Sequence, residues 1–142
     1  MPKEINFHTE DLNFAIADPL LKSKWISQTI DKENKAYGCL NFIFCSDEYL
    51  HRINLEYLSH DTYTDIITFD YSEADILSGD IFISIERVKE NSGKLAIPFE
   101  DELDRVIIHG VLHLSGYTDK SAEEQGIMRQ KEDYYLNLRS SN

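Results

Sequence analysis

The sequence predicts one α/β (α+β) domain, in which a small mixed sheet of about four strands packs with about five helices. Short runs rich in branched and aromatic residues alternate with longer segments whose apolar residues recur every three or four positions. A hydrophobic content of 42% over 142 residues is enough for one buried core. Because no internal repeat or linker divides the chain, residues 1–142 are expected to form a single domain.

The first half of the chain is expected to alternate strand and helix. The stretch EINF predicts a short strand, and a helix then begins at Pro19 with Asp18 as its N-cap. CLNFIFC predicts the second strand, and a helix through EYLHRINLEYL follows, capped by Ser46 or Asp47. The apolar face of the first helix is expected to carry Leu21, Trp25, Ile26 and Ile30.

The second half of the chain supplies two more strands and three more helices. TDIITFDY and DIFISI predict strands joined by a loop through Ser78 and Gly79, and so short a connection favours an antiparallel pair. ERVKENSGKLA predicts a helix that is interrupted near Gly93. A helix from Phe99 to Ser115 is apolar nearly all round and should be buried. Ser121 and Glu124 form a capping box for the last helix.

Composition and charge limit the classes of function. No apolar run approaches the length of a membrane span and the N-terminus carries no apolar signal segment, so a soluble cytoplasmic protein is expected. Cys39 and Cys45 lack metal-site spacing and flank a strand, and we expect them to be small buried hydrophobes. With a net charge of −12, the chain would have to hold any nucleic acid through a local basic patch.

The stretch HGVLHLSGYTDKS suggests a metal site. His109 and His113 lie four residues apart and therefore on one face of the buried helix, where a metal ion would satisfy both rings. Gly116 is placed to end the helix in a left-handed turn, and the tight return would bring Asp119 against the histidines. The spacing matches the H-E-x-x-H-x-x-G-x-x-H of metzincin proteases, which predicts one Zn²⁺ per chain held by His109, His113 and Asp119. Three protein ligands leave a position for water, as in catalytic zinc sites.

Simpler interpretations of these residues stand beside the metal site. Two histidines at this spacing also arise by chance, and Asp119 has an alternative role in the turn or as a cap of the last helix. Gly110 occupies the position of the protease base, so there is no general base of the protease kind. A glycine within a helix is costly, which indicates that something packs close against the backbone there.

Several stretches together resemble the YbeY endoribonuclease family. Its signature H-G-x-L-H-L-x-G-Y-x-H is similar to residues 109–119, with Asp119 at the last position. Its L-N-x-x-Y-R and T-[DN]-V-L-S-F stretches resemble INLEYLSHDTYTDIITF, and its G-D-I-x-I resembles residues 79–83. The resemblance covers most of the chain from about residue 50 onward. It departs from the family at Asp119, which replaces a histidine, and at Leu58, which replaces an arginine beside the cleft.

The resemblance implies a zinc-hydrolase-like fold and a single-strand-specific zinc-dependent endoribonuclease of 16S rRNA 3′ end maturation and ribosome quality control. Its implied partners are single-stranded RNA, rRNA and the ribosome, with no DNA or membrane. His109 and His113 would act in catalysis through the metal-bound water, with no general base assigned. The local basic patch is expected to comprise Arg52, Arg87, Lys89, Lys94 and Lys120.

The sequence also allows two other functions. The metzincin spacing also fits a metallopeptidase, although Gly110 disfavours it. A ribosome-associated protein that keeps zinc for stability alone is the second alternative.

Overall fold

The computed structural model describes residues 3–139, which form four strands and five helices. None of these helices is both long and apolar enough to cross a membrane. The strands are β1 (Glu4–Thr9), β2 (Ala36–Cys45), β3 (Ile66–Asp70) and β4 (Ile76–Ser84). The helices are α1 (Pro19–Lys32), α2 (Asp47–Leu58), α3 (Ile85–Leu95), α4 (Phe99–Leu114) and α5 (Ala122–Arg139).

The four strands form one mixed sheet in the order β1-β2-β4-β3. Strand β2 pairs in parallel with both β1 and β4, whereas β3 runs antiparallel to β4 at the edge. The α/β class and the antiparallel pair are therefore confirmed. The loop expected at Ser78 and Gly79 is wrong, because both residues lie within β4 and Gly79 pairs with Asp70. The turn between the strands comes earlier, at residues 71–75.

Helix α4 lies in the middle of the larger core, on one face of the sheet. It contacts β3 and β4 of the sheet and packs against α1, α3 and α5. Ile81 and Ile83 of β4 point into this core, whereas Phe82 between them faces the opposite side. On that side α2 covers a smaller cluster that includes Leu50, Ile53 and Ile67. The prediction of a buried helix over the histidine motif is confirmed.

Helix α1 departs from the prediction at its N-terminal end. Asp18 adopts a left-handed backbone with φ of 49°, and its side chain makes no capping hydrogen bond. Leu21 is 50% exposed, so the buried face begins one turn later at Trp25. The Trp25 Nε1–H donates to the Tyr135 carbonyl at 2.8 Å, which ties α1 to α5.

Helix α3 is continuous through Gly93, contrary to the predicted interruption. Buried Val88 and Ser92 hold this helix in the fold, and packing outweighs the cost of about 1 kcal/mol for one helical glycine.

The ends of the last two helices follow the sequence signals closely. After α4, Gly116 has φ of +111°, and its N–H donates to the His113 carbonyl while the Tyr117 N–H donates to Leu112. This is the Schellman arrangement that ends a helix at glycine. Before α5, the Glu124 N–H donates to Ser121 Oγ at 3.1 Å, and the Ser121 N–H donates back to Glu124 Oε1 at 3.1 Å. The turn that carries Asp119 is thus closed by hydrogen bonds at both ends.

Gly110 allows α4 to lie directly against the sheet. A methyl group on Gly110 would lie 3.1 Å from Cδ1 of Ile66 and 3.2 Å from Cγ2 of Ile81. Both contacts are tighter than ordinary van der Waals packing, and Cγ2 of a branched side chain has little freedom to move. The close packing that the sequence predicts at Gly110 is therefore packing of the α4 backbone against the sheet.

Gly110→Ala should lower the free energy of unfolding by about 1 kcal/mol, because crowding at the sheet outweighs the gain in helix propensity. Gly93→Ala is the matched control, since nothing lies within 4 Å of a methyl group at that helical glycine. The free energy of unfolding of this control should rise by about 0.5–1 kcal/mol. Urea denaturation measures both variants, and equal stabilisation of the two would contradict the packing argument.

Candidate functional site

A cleft of about 760 Å³ opens between the edge strand β3, helix α4 and helix α5. It is lined from the side of β3 by Thr64, Asp65, Ile66 and Thr68. Helix α4 contributes Glu102, Arg105, Val106, His109 and His113. The turn after α4 and helix α5 contribute Asp119, Gln125, Gly126, Met128, Arg129 and Glu132. All three residues of the predicted metal site therefore line one cleft.

Both ring nitrogens of His109 face a carboxylate. Its Nδ1 lies 2.7 Å from Glu132 Oε2, and its Nε2 lies 3.4 Å from Asp119 Oδ2. Because an ionised carboxylate only accepts hydrogen bonds, Nδ1 carries the proton that is donated to Glu132. The other nitrogen, Nε2, is left facing the cleft without a proton whenever the ring is neutral. Metal-binding histidines are commonly oriented in this way.

Glu132 is itself fixed by a second contact. The residue is only 5% exposed, and its Oε1 accepts from Arg105 Nη1 at 3.1 Å. Arg105 also donates to Asp133 Oδ1 at 2.8 Å. The guanidinium group therefore neutralises Glu132 on the side away from His109 and holds its carboxylate in one orientation.

The turn after α4 positions Asp119 beside His109. The Tyr117 hydroxyl, two residues earlier, donates to Glu33 Oε1 at 2.7 Å, which anchors the turn to the end of α1. The Asp119 backbone carbonyl accepts from Gln125 Nε2 at 3.0 Å, but its carboxylate caps no helix, since Ser121 does so for α5. Within residues 3–139, the contact of the Asp119 side chain is with His109. The alternative role as a cap is therefore not supported.

The donor atoms of His109 and Asp119 are spaced as two ligands of one metal ion. Their distance of 3.4 Å is long for a hydrogen bond. It matches the separation of about 3.3 Å between two ligands that each lie about 2.0–2.1 Å from a tetrahedral zinc ion. Two imidazoles and a carboxylate are also a donor set that zinc accepts. The chemistry of these residues therefore fits zinc.

His113 is in the cleft but is not brought into contact with the other two residues. It is exposed one helical turn beyond His109, and within the described chain it has no hydrogen bond or ion pair. Correspondingly, no three His, Cys, Asp or Glu side chains between residues 3 and 139 are arranged so that they could hold an ion. His113 would be the third ligand of the predicted site, and its exposed side chain is accessible from the cleft.

Glu132 is a site residue that the sequence analysis missed. A signal for it exists in the sequence, since Glu132 interrupts the buried stripe of α5 between Met128 and Tyr135. A charged residue at such a position is rarely buried unless it is paired. Its partner His109 is 23 residues away, however, and only the packing of α5 on α4 brings them together.

The cations of the cleft also differ from those that were predicted. None of Arg52, Arg87, Lys89, Lys94 and Lys120 lines it. Arg87 instead binds Asp47 at 2.6 Å on another surface. The cleft contains Arg105, which is committed to two carboxylates, and Arg129, which is exposed and has no hydrogen bond or ion pair among the described residues. Among residues 3–139, the cleft therefore offers one guanidinium group without an ion pair, that of Arg129.

Two further carboxyl groups in the cleft are poorly solvated. Burial raises the pKa of Glu102, and the nearby Asp65 raises it further while Arg105 and Arg129 oppose the shift. Burial likewise raises the pKa of Asp65. Both groups therefore take up a proton more readily than ordinary carboxylic acids do.

His109 should titrate above its ordinary range in the metal-free protein. The hydrogen bond to Glu132 raises its pKa, burial of the ring opposes this, and the charges of Glu132 and Asp119 add to the rise. Protonated His109 therefore stabilises the metal-free fold below about pH 6.5, and this contribution is lost as the pH rises through the raised pKa. Zinc needs the unprotonated Nε2, so zinc affinity should increase over the same pH interval.

Glu132→Gln should lower the His109 pKa, as measured by NMR titration of the metal-free protein, and weaken zinc binding by about 10- to 100-fold. Glu123→Gln is the control, because this exposed glutamate lies on the same helix outside the cleft. An unchanged His109 pKa in Glu132→Gln would contradict the orienting role.

Comparisons with known proteins agree with the fold and with the resemblance of the motifs. A sequence model of the endoribonuclease YbeY family matches residues 4–139. The endoribonuclease YbeY of Christiangramia forsetii is 52% identical over 135 residues, which cover 95% of this chain and 94% of the relative. That of Karelsulcia muelleri is 54% identical over 132 residues, covering 93% of each chain. The solution structure of TM1509 from Thermotoga maritima, 28% identical, superposes with a TM-score of 0.67 and covers 96% of this chain and 89% of its own. The chain therefore belongs to the endoribonuclease YbeY family.

Proposed function

We propose that this protein is a single-strand-specific zinc-dependent endoribonuclease that acts in the cytoplasm, in 16S rRNA 3′ end maturation and ribosome quality control. The relatives that cover nearly the whole chain bear the name endoribonuclease. The observation that carries the proposal is the arrangement of His109, whose Nε2 is directed to Asp119 in an open cleft while Glu132 holds its other nitrogen.

Each site residue has a role in this proposal. His109, His113 and Asp119 would hold one Zn²⁺ per chain, and His109 and His113 serve catalysis by holding it. A zinc ion there would supply a water that ionises near neutral pH and a positive charge for a phosphate oxygen. Glu132 keeps His109 in the binding tautomer. Arg129, which has no ion pair among residues 3–139, offers the cation that a phosphate in the cleft needs.

The cleft suits a strand of nucleic acid better than it suits a metal ion alone. Its volume of about 760 Å³ lies in the range of pockets that bind whole ligands. Gly110, which occupies the position of the protease base, packs against the sheet and has no side chain to offer. A peptidase would therefore lack its usual base, and a zinc ion kept only for stability would not need an open cleft.

A cleavage assay tests the proposal against both alternatives. A fluorescent single-stranded RNA oligonucleotide, its duplex and casein are each incubated with the protein, with and without a chelator. The single strand should be cut, and the chelator should abolish cutting until zinc is added back. His113→Ala should lose at least about tenfold in activity through loss of zinc, whereas the control His60→Ala, outside the cleft, should not.

Two results would contradict the proposal. Cutting of casein in place of RNA would indicate a peptidase. Retention of zinc with neither substrate cut would indicate a protein that uses the metal only for stability.

A further inference from the structure

Glu102 presents a carboxyl group that nothing in the described chain satisfies. The residue is only 5% exposed, yet its Oε1 is buried without a hydrogen-bond partner among residues 3–139. Buried polar atoms are almost always paired in native proteins, and an exception indicates a missing partner. The Glu102 side chain lines the cleft, so a hydroxyl group bound there can donate the hydrogen bond that this carboxyl group lacks.

The position of Glu102 separates it from the metal site. It lies two helical turns before His109 on the same face of α4, which corresponds to about 10 Å along the helix axis. A group at this distance is too far away to be a ligand of the same ion. It is suitably placed to contact a part of the substrate beyond the reacting phosphate.

The composition of the cleft wall favours the sugar–phosphate backbone over the bases. Among the described residues that line it there is no Phe, Tyr or Trp. Proteins that hold single strands by their bases stack them on such rings. The wall instead carries threonine hydroxyls, carboxyl groups, a glutamine and arginines, which are suited to riboses and phosphates.

Arg129 supplies the phosphate contact of such a backbone site. It lies in the same cleft, close enough to Glu102 to influence its charge, and it has no other partner within the described chain. Arg105, by contrast, is neutralised by Glu132 and Asp133. A planar guanidinium binds phosphate oxygens through two parallel hydrogen bonds.

From these observations we propose that Glu102 and Arg129 form a nucleotide-backbone subsite, in which Arg129 binds a phosphate next to the one that is cut and Glu102 hydrogen-bonds a ribose 2′-hydroxyl. This inference rests on the proposed endoribonuclease function. It makes Glu102 the residue that selects RNA over DNA, because the 2′-hydroxyl is the group that distinguishes them.

Fluorescence anisotropy tests this subsite with a labelled RNA strand of about 12 nucleotides and the DNA strand of the same sequence. A chelator keeps the RNA intact during the measurement. The wild-type protein should bind RNA about three- to tenfold more tightly than DNA, as expected for one hydrogen bond. Glu102→Leu should bind the two strands equally, whereas Glu102→Gln, whose amide still forms hydrogen bonds, should keep most of the preference.

Arg129→Gln should weaken RNA and DNA binding alike. The slope of log affinity against log salt concentration should also become shallower, by about the amount that one phosphate contact contributes. Lys89→Gln is the matched control, because this exposed lysine lies on α3 outside the cleft. It should leave both affinities unchanged. Equal effects of the two substitutions would overturn the phosphate contact.

A second measurement starts from the wild-type protein and changes the RNA instead. RNA strands that each carry a single 2′-deoxynucleotide should reveal one position at which wild-type affinity falls. The same position should have no effect in Glu102→Leu, which is expected to fold at least as stably because it removes an unsatisfied buried oxygen.

These measurements distinguish failure of the subsite from failure of the proposed endoribonuclease function. If wild-type protein cuts RNA but Glu102→Leu keeps the preference for RNA, or if no single deoxynucleotide matters, the subsite is wrong and the proposed function stands. If wild-type protein neither binds nor cuts single-stranded RNA, the proposed function fails and the subsite fails with it.

Discussion

The close contact between α4 and the sheet at Gly110 is the constraint on which the site depends. With no side chain at this position, Ile66 and Ile81 lie against the helix backbone. The preceding residue, His109, then faces the cleft while Ile107, Ile108 and Val111 fill the core. A helix held further from the sheet would move His109 relative to Glu132 and Asp119, which are carried by other elements.

The site combines local and distant parts of the chain. The Schellman turn at Gly116 and the anchoring of Tyr117 to Glu33 return the chain so that Asp119 reaches His109. Glu132 approaches from the other side because α5 packs along α4. The two carboxylates thus hold one imidazole between them, and a cation in the cleft would replace the proton that this imidazole tends to retain.

Such an acidic protein faces an electrostatic problem in binding RNA. The net charge of −12 repels a phosphate backbone, and the cleft contains four carboxyl groups, those of Asp65, Glu102, Asp119 and Glu132. Arg105 offsets part of this charge by pairing with Glu132, and burial raises the pKa of both Asp65 and Glu102. The proposed zinc ion would add positive charge to the cleft, as does Arg129, which has no ion pair among residues 3–139.

Most of the fold and part of the site followed from local sequence signals. The mixed sheet, the buried α4, the glycine turn and the capping box were predictable because each depends on residues close together in the chain. The continuous α3 was not, since its packing outweighs the signal of Gly93. The contact of Glu132 with His109, and the place of Glu102 and Arg129 in the same cleft, became visible only in three dimensions, because tertiary packing brings α4 and α5 together.

The central claim is that Asp119 is a metal ligand together with His109 and His113. Competition with a chelating dye measures zinc affinity directly in the wild-type protein, in Asp119→Ala and in the control Asp31→Ala, which removes an exposed aspartate outside the cleft. Asp119→Ala should bind zinc at least about tenfold more weakly, Asp119→His should restore binding, and the control should match the wild type. Wild-type zinc affinity in Asp119→Ala would contradict the account.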